Sequence, residues 1–401
     1  MGAGIKVNQE TRAFIQDHLQ DDLPRLMLLK KRVPEIDYPF AYQQIASRQK
    51  AEKKLPFWYS REDLIFPAPL SVEQASSEKS AQYKANLFSG EHLIDLSAGF
   101  GVDAFWLSSR FNRLTCVEPN QELCEILKHN FKALNVPNFN IHHTDAEEFI
   151  KKFTPEKREN ITFYIDPDRR SVQGSKLVLL EDCSPNILDL YFDLIKKGGK
   201  VIVKLSPMID LKQLMNRLPG LAVVYIISVK NECKEVVIQL EDRPKQPSIP
   251  IFTVNITDSA PISFNFNSDE EENCSSTFAD QVGQYIYEPY SNVLKAGAFK
   301  LVGERFRLKK LDHHSHLYTS DEPVAEFPGK IFRVDKVLGW SKGELKQEIQ
   351  KGGFYHLAVR NFPMSTNALR QQLQIKEGGD QSLFATTLQG KHILILCHLM
   401  D

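Results

Sequence analysis

The chain has 401 residues, with 50 Lys and Arg against 51 Asp and Glu, a formal net charge of −1 and 42% hydrophobic residues. That balance excludes a polyelectrolyte, and the length leaves room for two to four domains with real cores. Apolar runs such as Leu221 to Val229 are too short to cross a bilayer. The six cysteines (116, 124, 183, 233, 274 and 397) form no CxxC pair, which argues against a zinc site or a disulfide framework. The opening stretch MGAGIKVNQETRAF lacks the apolar core of a signal peptide, so a soluble, cytoplasmic protein is expected.

Residues 1 to about 70 read as helical, then irregular. Phe14, Ile15, Leu19, Leu23, Leu26 and Leu29 keep helical spacing across Thr11 to Lys31, with Pro24 disturbing the helix and Pro34, Pro39 and Pro56 as breaks. Two charge runs, Lys30-Lys31-Arg32 and Arg48 to Lys54, read as solvated helix faces, with phosphate contact as the competing reading. Ser76 to Phe88 reads as a helix stopped by Gly90. Gln74, Ser76, Ser77 and Lys84 either reach over the turn that follows or serve as caps and surface.

That turn lies in EHLIDLSAGFGVDAF, residues 91–105. Leu93 to Leu96 reads as a buried strand, Ser97 to Gly101 as a glycine turn and Val102 to Arg110 as a helix. Strand, glycine turn and helix make the nucleotide-binding corner of a doubly wound sheet. The α/β alternation continues through strands Leu114 to Val117, Phe139 to His142, Ile161 to Ile165 and Lys200 to Leu205. Helices fall at Glu122 to Leu134, Ala146 to Phe153, Ile187 to Lys196 and Leu211 to Leu218. Strands Ala222 to Val229 and Glu235 to Leu240, separated only by Lys230 to Lys234, must be antiparallel, because a parallel crossover needs a dozen residues or more.

The proline-rich stretch RPKQPSIP (243–250) predicts a first domain boundary, and Phe327-Pro328-Gly329 a second. Between them the pattern predicts short strands over Ile251 to Phe266, an acidic loop at Asp269 to Glu272, and a helix from Tyr290 to Phe299 followed by a strand. The last segment reads as strand Lys330 to Val337, helix Ser341 to Lys351, strand Tyr355 to Asn361 and helix Thr366 to Leu373. A hairpin follows, Ser382 to Leu388 and His392 to Cys397.

Four acids, Asp95, Glu118, Asp145 and Asp166, close successive strands on one edge of the inferred sheet. Glu118, 17 residues after Gly101, is placed to take both ribose hydroxyls of a nucleoside. Asn120 is a candidate to flank the base, and Asp145-Ala146 to meet an adenine amino group. Each acid alone reads equally as a helix cap. Gly99, Gly101 and Ala104 also satisfy the loose dinucleotide fingerprint. Yet the Asp-x-x-x-Gly-x-Gly spacing, the acid at 118, Asp145-Ala146 and the terminal hairpin together resemble a class I S-adenosylmethionine-dependent methyltransferase over roughly residues 70–242. The resemblance implies that Asp95, Ser97, Ala98, Gly99 and Gly101 line the methionine moiety of S-adenosyl-L-methionine. It also implies that Glu118 holds the ribose and that Asp145 and Ala146 bracket the adenine.

The fourth strand ends in Asp166-Pro167-Asp168-Arg169-Arg170. Amino-group methyltransferases of the class carry Asp/Asn-Pro-Pro-aromatic here, so the resemblance makes Asp166, Pro167, Asp168 and Arg169 the catalytic candidates. Asp168 and Arg169 replace the second proline and the aromatic; Arg169 or Arg170 could face a phosphate, a carboxylate or a flipped base instead.

LSVEQASSEKSAQYKA, LKAGAFKLV, SHLYTSDEPVAEFPGKIF, RNFPMSTNALR and EGGDQSLFATT resemble a bacterial family in which a class I methyltransferase precedes a ferredoxin-like and a THUMP-like domain. The expected layout is an α/β Rossmann-like seven-stranded sheet in 71–242 after an N-terminal helical region in 1–70. C-terminal α+β domains follow, ferredoxin-like in 243–327 and THUMP-like in 328–401. THUMP domains imply an RNA substrate (tRNA or rRNA), with no membrane and no obligate protein partner in view. Ten Lys/Arg against six Asp/Glu in 328–401 suit that partner. So do aromatics such as Phe354 and Phe362 among them, although most aromatics there sit where burial is expected. His313-His314-x-His316 and His142-His143 lack further ligands, so no metal is expected. The competing functions are a small-molecule or protein methyltransferase, and a non-catalytic RNA-binding protein with a vestigial cofactor site.

Overall fold

A computed structural model describes residues 5–28, 32–156, 160–169 and 183–400. The chain divides into two compact units: residues 1–223 with 235–246, and 224–234 with 247–401. Among the described residues no helix is long and apolar enough to cross a membrane.

Among the described residues the first unit opens with six helices: α1 (Gln9–Asp17), α2 (Leu23–Met27), α3 (Tyr38–Ala51), α4 (Pro56–Tyr59), α5 (Pro69–Gln74) and α6 (Glu78–Leu87). The single helix expected over Thr11 to Lys31 is two, because Asp22 accepts from Arg25 N and caps a new start. Pro24, Pro39 and Pro56 sit in the first turns of α2, α3 and α4 and so open helices rather than disturb them. Lys30 and Lys31 lie outside the described residues. Arg48 is neither solvated nor a phosphate contact. It is 2% exposed and donates to the carbonyl oxygens of Tyr59, Arg61, Glu62 and Leu64.

The sheet strands of this unit are β1 (Gly90–Asp95), β2 (Phe111–Glu118), β3 (Phe139–His143), β4 (Ile161–Ile165), β5 (Lys200–Leu205), β6 (Leu221–Val229) and β7 (Glu232–Glu241). Their order is β3-β2-β1-β4-β5-β7-β6. Strands β1 to β5 pair in parallel and β7 runs antiparallel to β5. This is a Rossmann-like order with an antiparallel hairpin, but the sheet does not stop at the expected seventh strand: Pro250–Ile256 and Ile262–Asn267 continue it from β6 to nine strands. The hairpin is tighter than the spacing suggested. Lys230 and Asn231 alone make the turn, both at positive φ (50° and 63°), the geometry that matches strand twist. The division of the chain cuts both hairpin strands: Leu221 to Val223 of β6 and Glu235 to Glu241 of β7 belong to the first unit, and the residues between them to the second. The crossover helices are α7 (Val102–Ser108), α8 (Gln121–Ala133), α9 (Ala146–Lys152), α10 (Ile187–Gly198) and α11 (Leu211–Arg217). A buried aromatic cluster locks the N-terminal helices onto the glycine turn: Phe100 meets Trp58 at 4.8 Å and Phe66 at 5.4 Å.

In the second unit, β6 pairs in parallel with Pro250–Ile256, which pairs antiparallel with Ile262–Asn267. The acidic segment after it is a helix, Ser268–Asn273, not a loop. Asn267 and Glu270 form a capping box, and acids in a first turn suit the helix dipole. The strand expected after Phe299 is also a helix, Phe299–Arg305, following Ser291–Ala296. A seven-stranded sheet runs in the order Lys309–Lys310, Tyr318–Ser320, Tyr285–Pro289, Gly329–Gly339, Lys391–Leu399, Gln381–Leu388, His356–Val359. Its one parallel pair, the last, is joined through the helix Thr366–Leu373.

Candidate active site

The flush strand ends make the site. Register sets Asp95 opposite Cys116 and Tyr164, Glu118 opposite His143, and Ile165 opposite Val203, so the residues that follow these strands share one edge. A cavity of about 460 Å³ opens there, within the range of small-ligand sites. It is lined by Asp95 to Asp103, Glu118, Asp145, Ala146, Glu147, Tyr164 and Asp166, with Ser71, Gln74, Ala75 and Ser76 from the helices before β1 and Ser184 and Pro185 from the loop before α10. All four strand-end acids therefore meet in one space. Asn120 and Pro167 are not among the lining residues. Asn120 caps α8, accepting from Leu123 N at 3.1 Å. Arg170 lies outside the described residues, as do the side chains of Asp168 and Arg169. Their backbone pairs antiparallel with Cys183 and Ser184.

The glycine turn is held by hydrogen bonds on both sides. Gly99, at φ +54°, donates its N–H to Glu118 Oε2 at 2.9 Å, and Asn120 N donates to Oε1 at 2.8 Å. Gly101, at φ +84°, leaves no room for a side chain, since a Cβ there would stand 2.3 Å from Leu127 Cδ2. Open backbone facing a carboxylate that already accepts N–H donors fits a ribose-bearing ligand, and the residues present suit a nucleoside cofactor. Asp145 caps α9 through Glu148 N at 2.6 Å while lining the cavity, so cap and site are one residue.

Asp95 is 2% exposed, and burial pushes its carboxyl up to about 7, against the pull of the Ser97 N–H and hydroxyl and with the push of Asp103 and Asp166. Beside it lies a network that sequence spacing did not announce. Lys84 is fully buried, with Nζ 2.8 Å from Asp103 Oδ1, 3.0 Å from Glu235 Oε2, 2.9 Å from Ser76 Oγ and 3.3 Å from Tyr164 OH. Ser80 Oγ donates to Glu235, and Tyr164 OH donates to Asp103 Oδ2 at 2.9 Å. Burial works against the charge on Asp103, yet Lys84 and Lys204 hold its carboxyl below the usual range. Ser77 caps α6, accepting from Ser80 N. The backbone N–H of Asp166 donates to Ser97 Oγ at 2.6 Å, and its Oδ2 pairs with Lys204. The signal for Lys204 was available: it follows Val203, the register partner of Ile165, on the adjacent parallel strand. Glu235 lies 151 residues from Lys84 and had no local signal.

The histidines elsewhere pack as rings. His316 stacks on Phe299 at 3.7 Å, His313 lies 4.3 Å from Phe278 and His142 lies 5.1 Å from Phe149. No group of three or more His, Cys, Asp or Glu among the described residues is set to hold a metal ion.

Family models match the C-terminal part, a ferredoxin-like domain over residues 285–328 and a THUMP domain-like model over 329–399. No curated protein matches the sequence. Among solved structures, a Porphyromonas gingivalis W83 protein described as a "putative methyltransferase" is 28% identical, with a TM-score of 0.87 over 99% of this chain and 100% of that one. A Streptococcus mutans protein given the same description, in complex with S-adenosylhomocysteine, is 12% identical over 41% of this chain and 96% of that one, TM-score 0.30. An rRNA methylase from Streptococcus thermophilus is 12% identical over 42% and 95%, TM-score 0.28. The last two are too distant to carry an argument. The chain therefore shares that protein's fold along its length, a parallel-rich α/β sheet followed by ferredoxin-like and THUMP-like domains at the C-terminus.

Proposed function

We propose that the protein is an S-adenosylmethionine-dependent methyltransferase acting on a base amino group in RNA, tRNA or rRNA. The observation that carries the reading is the meeting of Asp95, Glu118, Asp145 and Asp166 around one cavity with the backbone of Gly99 and Gly101. The bound cofactor would supply a methyl group on a sulfonium. Every other contribution comes from the chain. Glu118, fixed by two backbone N–H groups, would hold ribose hydroxyls, and Asp145-Ala146 would border the adenine. The acid-rich lining would favour a cationic ligand. Asp166, anchored through Ser97 and Lys204, would accept a hydrogen bond from the acceptor amine and orient its lone pair. Methyl transfer of this kind draws its rate from positioning and needs no strong base. RNA as substrate is supported by the THUMP-like match at residues 329–399.

Calorimetric titration with S-adenosylmethionine, its demethylated product and NADH tests the cofactor. Micromolar binding of the first two alone is expected; binding of NADH would return the glycine turn to the dehydrogenases. Asp166→Ala should abolish methyl transfer to RNA transcripts with cofactor binding intact, and full activity in that variant would remove Asp166 from the site.

A further inference from the structure

The last register pair of β4 and β5 is Ile165 with Val203; Asp166 follows just past the end of β4 and Lys204 is the next residue of β5, and their side chains form an ion pair. The Lys204 side chain is 13% exposed and grips Oδ2 of Asp166, whose side chain is 37% exposed toward the cavity. Burial opposes the charge on Lys204, but the carboxylates of Asp166, Asp103 and Glu235 outweigh it and keep the amine protonated. Among the described residues no partner holds Oδ1. Six carboxylates line the cavity (Asp95, Asp103, Glu118, Asp145, Glu147 and Asp166), and no Lys or Arg lines it among the described residues. An anionic acceptor, a carboxylate or a thiolate, would meet that lining with repulsion.

We infer that Lys204 is a positioning residue that sets which oxygen of Asp166 meets the acceptor amine. The inference rests on the reading of Asp166 given above. One oxygen is held by the lysine, and the other accepts the N–H and fixes the direction of the nitrogen lone pair. The nitrogen forms its bond to the methyl carbon as the carbon–sulfur bond breaks, that electron pair staying on sulfur. The nitrogen then carries the positive charge and releases its proton to water.

The test compares wild type, Lys204→Met and Lys204→Arg for transfer of a tritiated methyl group to unmodified tRNA and rRNA transcripts, with calorimetric titration of S-adenosylmethionine alongside. Lys204→Met should lower kcat by about 10- to 100-fold, the cost of a misplaced acceptor. The KM for RNA and the cofactor affinity should stay within about twofold, and Lys204→Arg should recover most of the rate. Unchanged kcat in Lys204→Met, or cofactor affinity falling in parallel with kcat, would overturn the positioning role alone. Wild-type protein that binds cofactor but methylates none of the transcripts would overturn the reading of Asp166 and this role with it.

Discussion

Two buried cations of the first unit, Arg48 and Lys84, are held by opposite means. Arg48 spreads its donors over four neutral carbonyl oxygens at the end of α4 and in the loop after it. Burial lowers its pKa to about 10, partly offset by Glu62, Tyr59 and Asp63. Lys84 instead faces two carboxylates, a phenol and a serine hydroxyl, and through Asp103 it reaches the cavity wall. The difference separates a structural tie from a piece of the site. Carbonyls freed by a lost arginine are left without donors but neutral, whereas carboxylates freed by a lost lysine remain charged in a dry place.

The sharpest way to break the comparison is Lys84→Met, which strands Asp103 and Glu235. A loss of about 3–5 kcal/mol in urea unfolding is expected, and a loss no larger than that of the arginine variant would refute the contrast. Next comes a titration. Asp95 has a folded-state pKa raised to about 7 from 3.8, so between these values the folded state binds the proton more tightly than the unfolded state does. The stability that Asp95 contributes should therefore fall as pH rises from about 4 to 7, by an amount on the order of 3 kcal/mol, and then level off. The contribution is read as the stability of wild type minus that of Asp95→Asn, from urea midpoints at pH 5 and pH 8; a difference that is the same at both pH values would assign the titration elsewhere. Arg48→Met should cost about 2 kcal/mol, the penalty for carbonyls left without donors, and should leave cofactor affinity unchanged in the same calorimeter. The smallest effect belongs to an exposed pair: Lys50 and Glu73 stand 2.7 Å apart with both side chains at least half exposed. Lys50→Ala should shift stability by less than about 1 kcal/mol, and a larger shift would mean that solvent exposure fails to sort these charges.

The same contrast shows what the sequence could carry. Strands end where local signals are strong: β4 and β5 fall at the expected residues, and the four acids are visible as strand-closing positions. Arg48 sits in a charge run that reads as solvent-facing, because its partners lie 11 to 16 residues ahead in a segment without periodicity. Lys84 and Glu235 are brought together only by the order of the sheet. The apolar run at Phe299 is too short for its period to separate strand from helix. The helix at Ser268, by contrast, did announce itself: Asn267 and Glu270 have capping-box spacing.

The hairpin that both units share has a practical consequence. The chain leaves the first unit after Val223, returns at Glu235 and leaves again after Gln246. A recombination that exchanged the C-terminal unit between relatives would need three crossovers, not one, and a single junction in the proline-rich stretch would deliver a foreign hairpin tip to a native sheet. Chimeras of this protein are therefore best cut at 223, 234 and 246 together, so that each half of the β6–β7 hairpin travels with the unit to which it belongs.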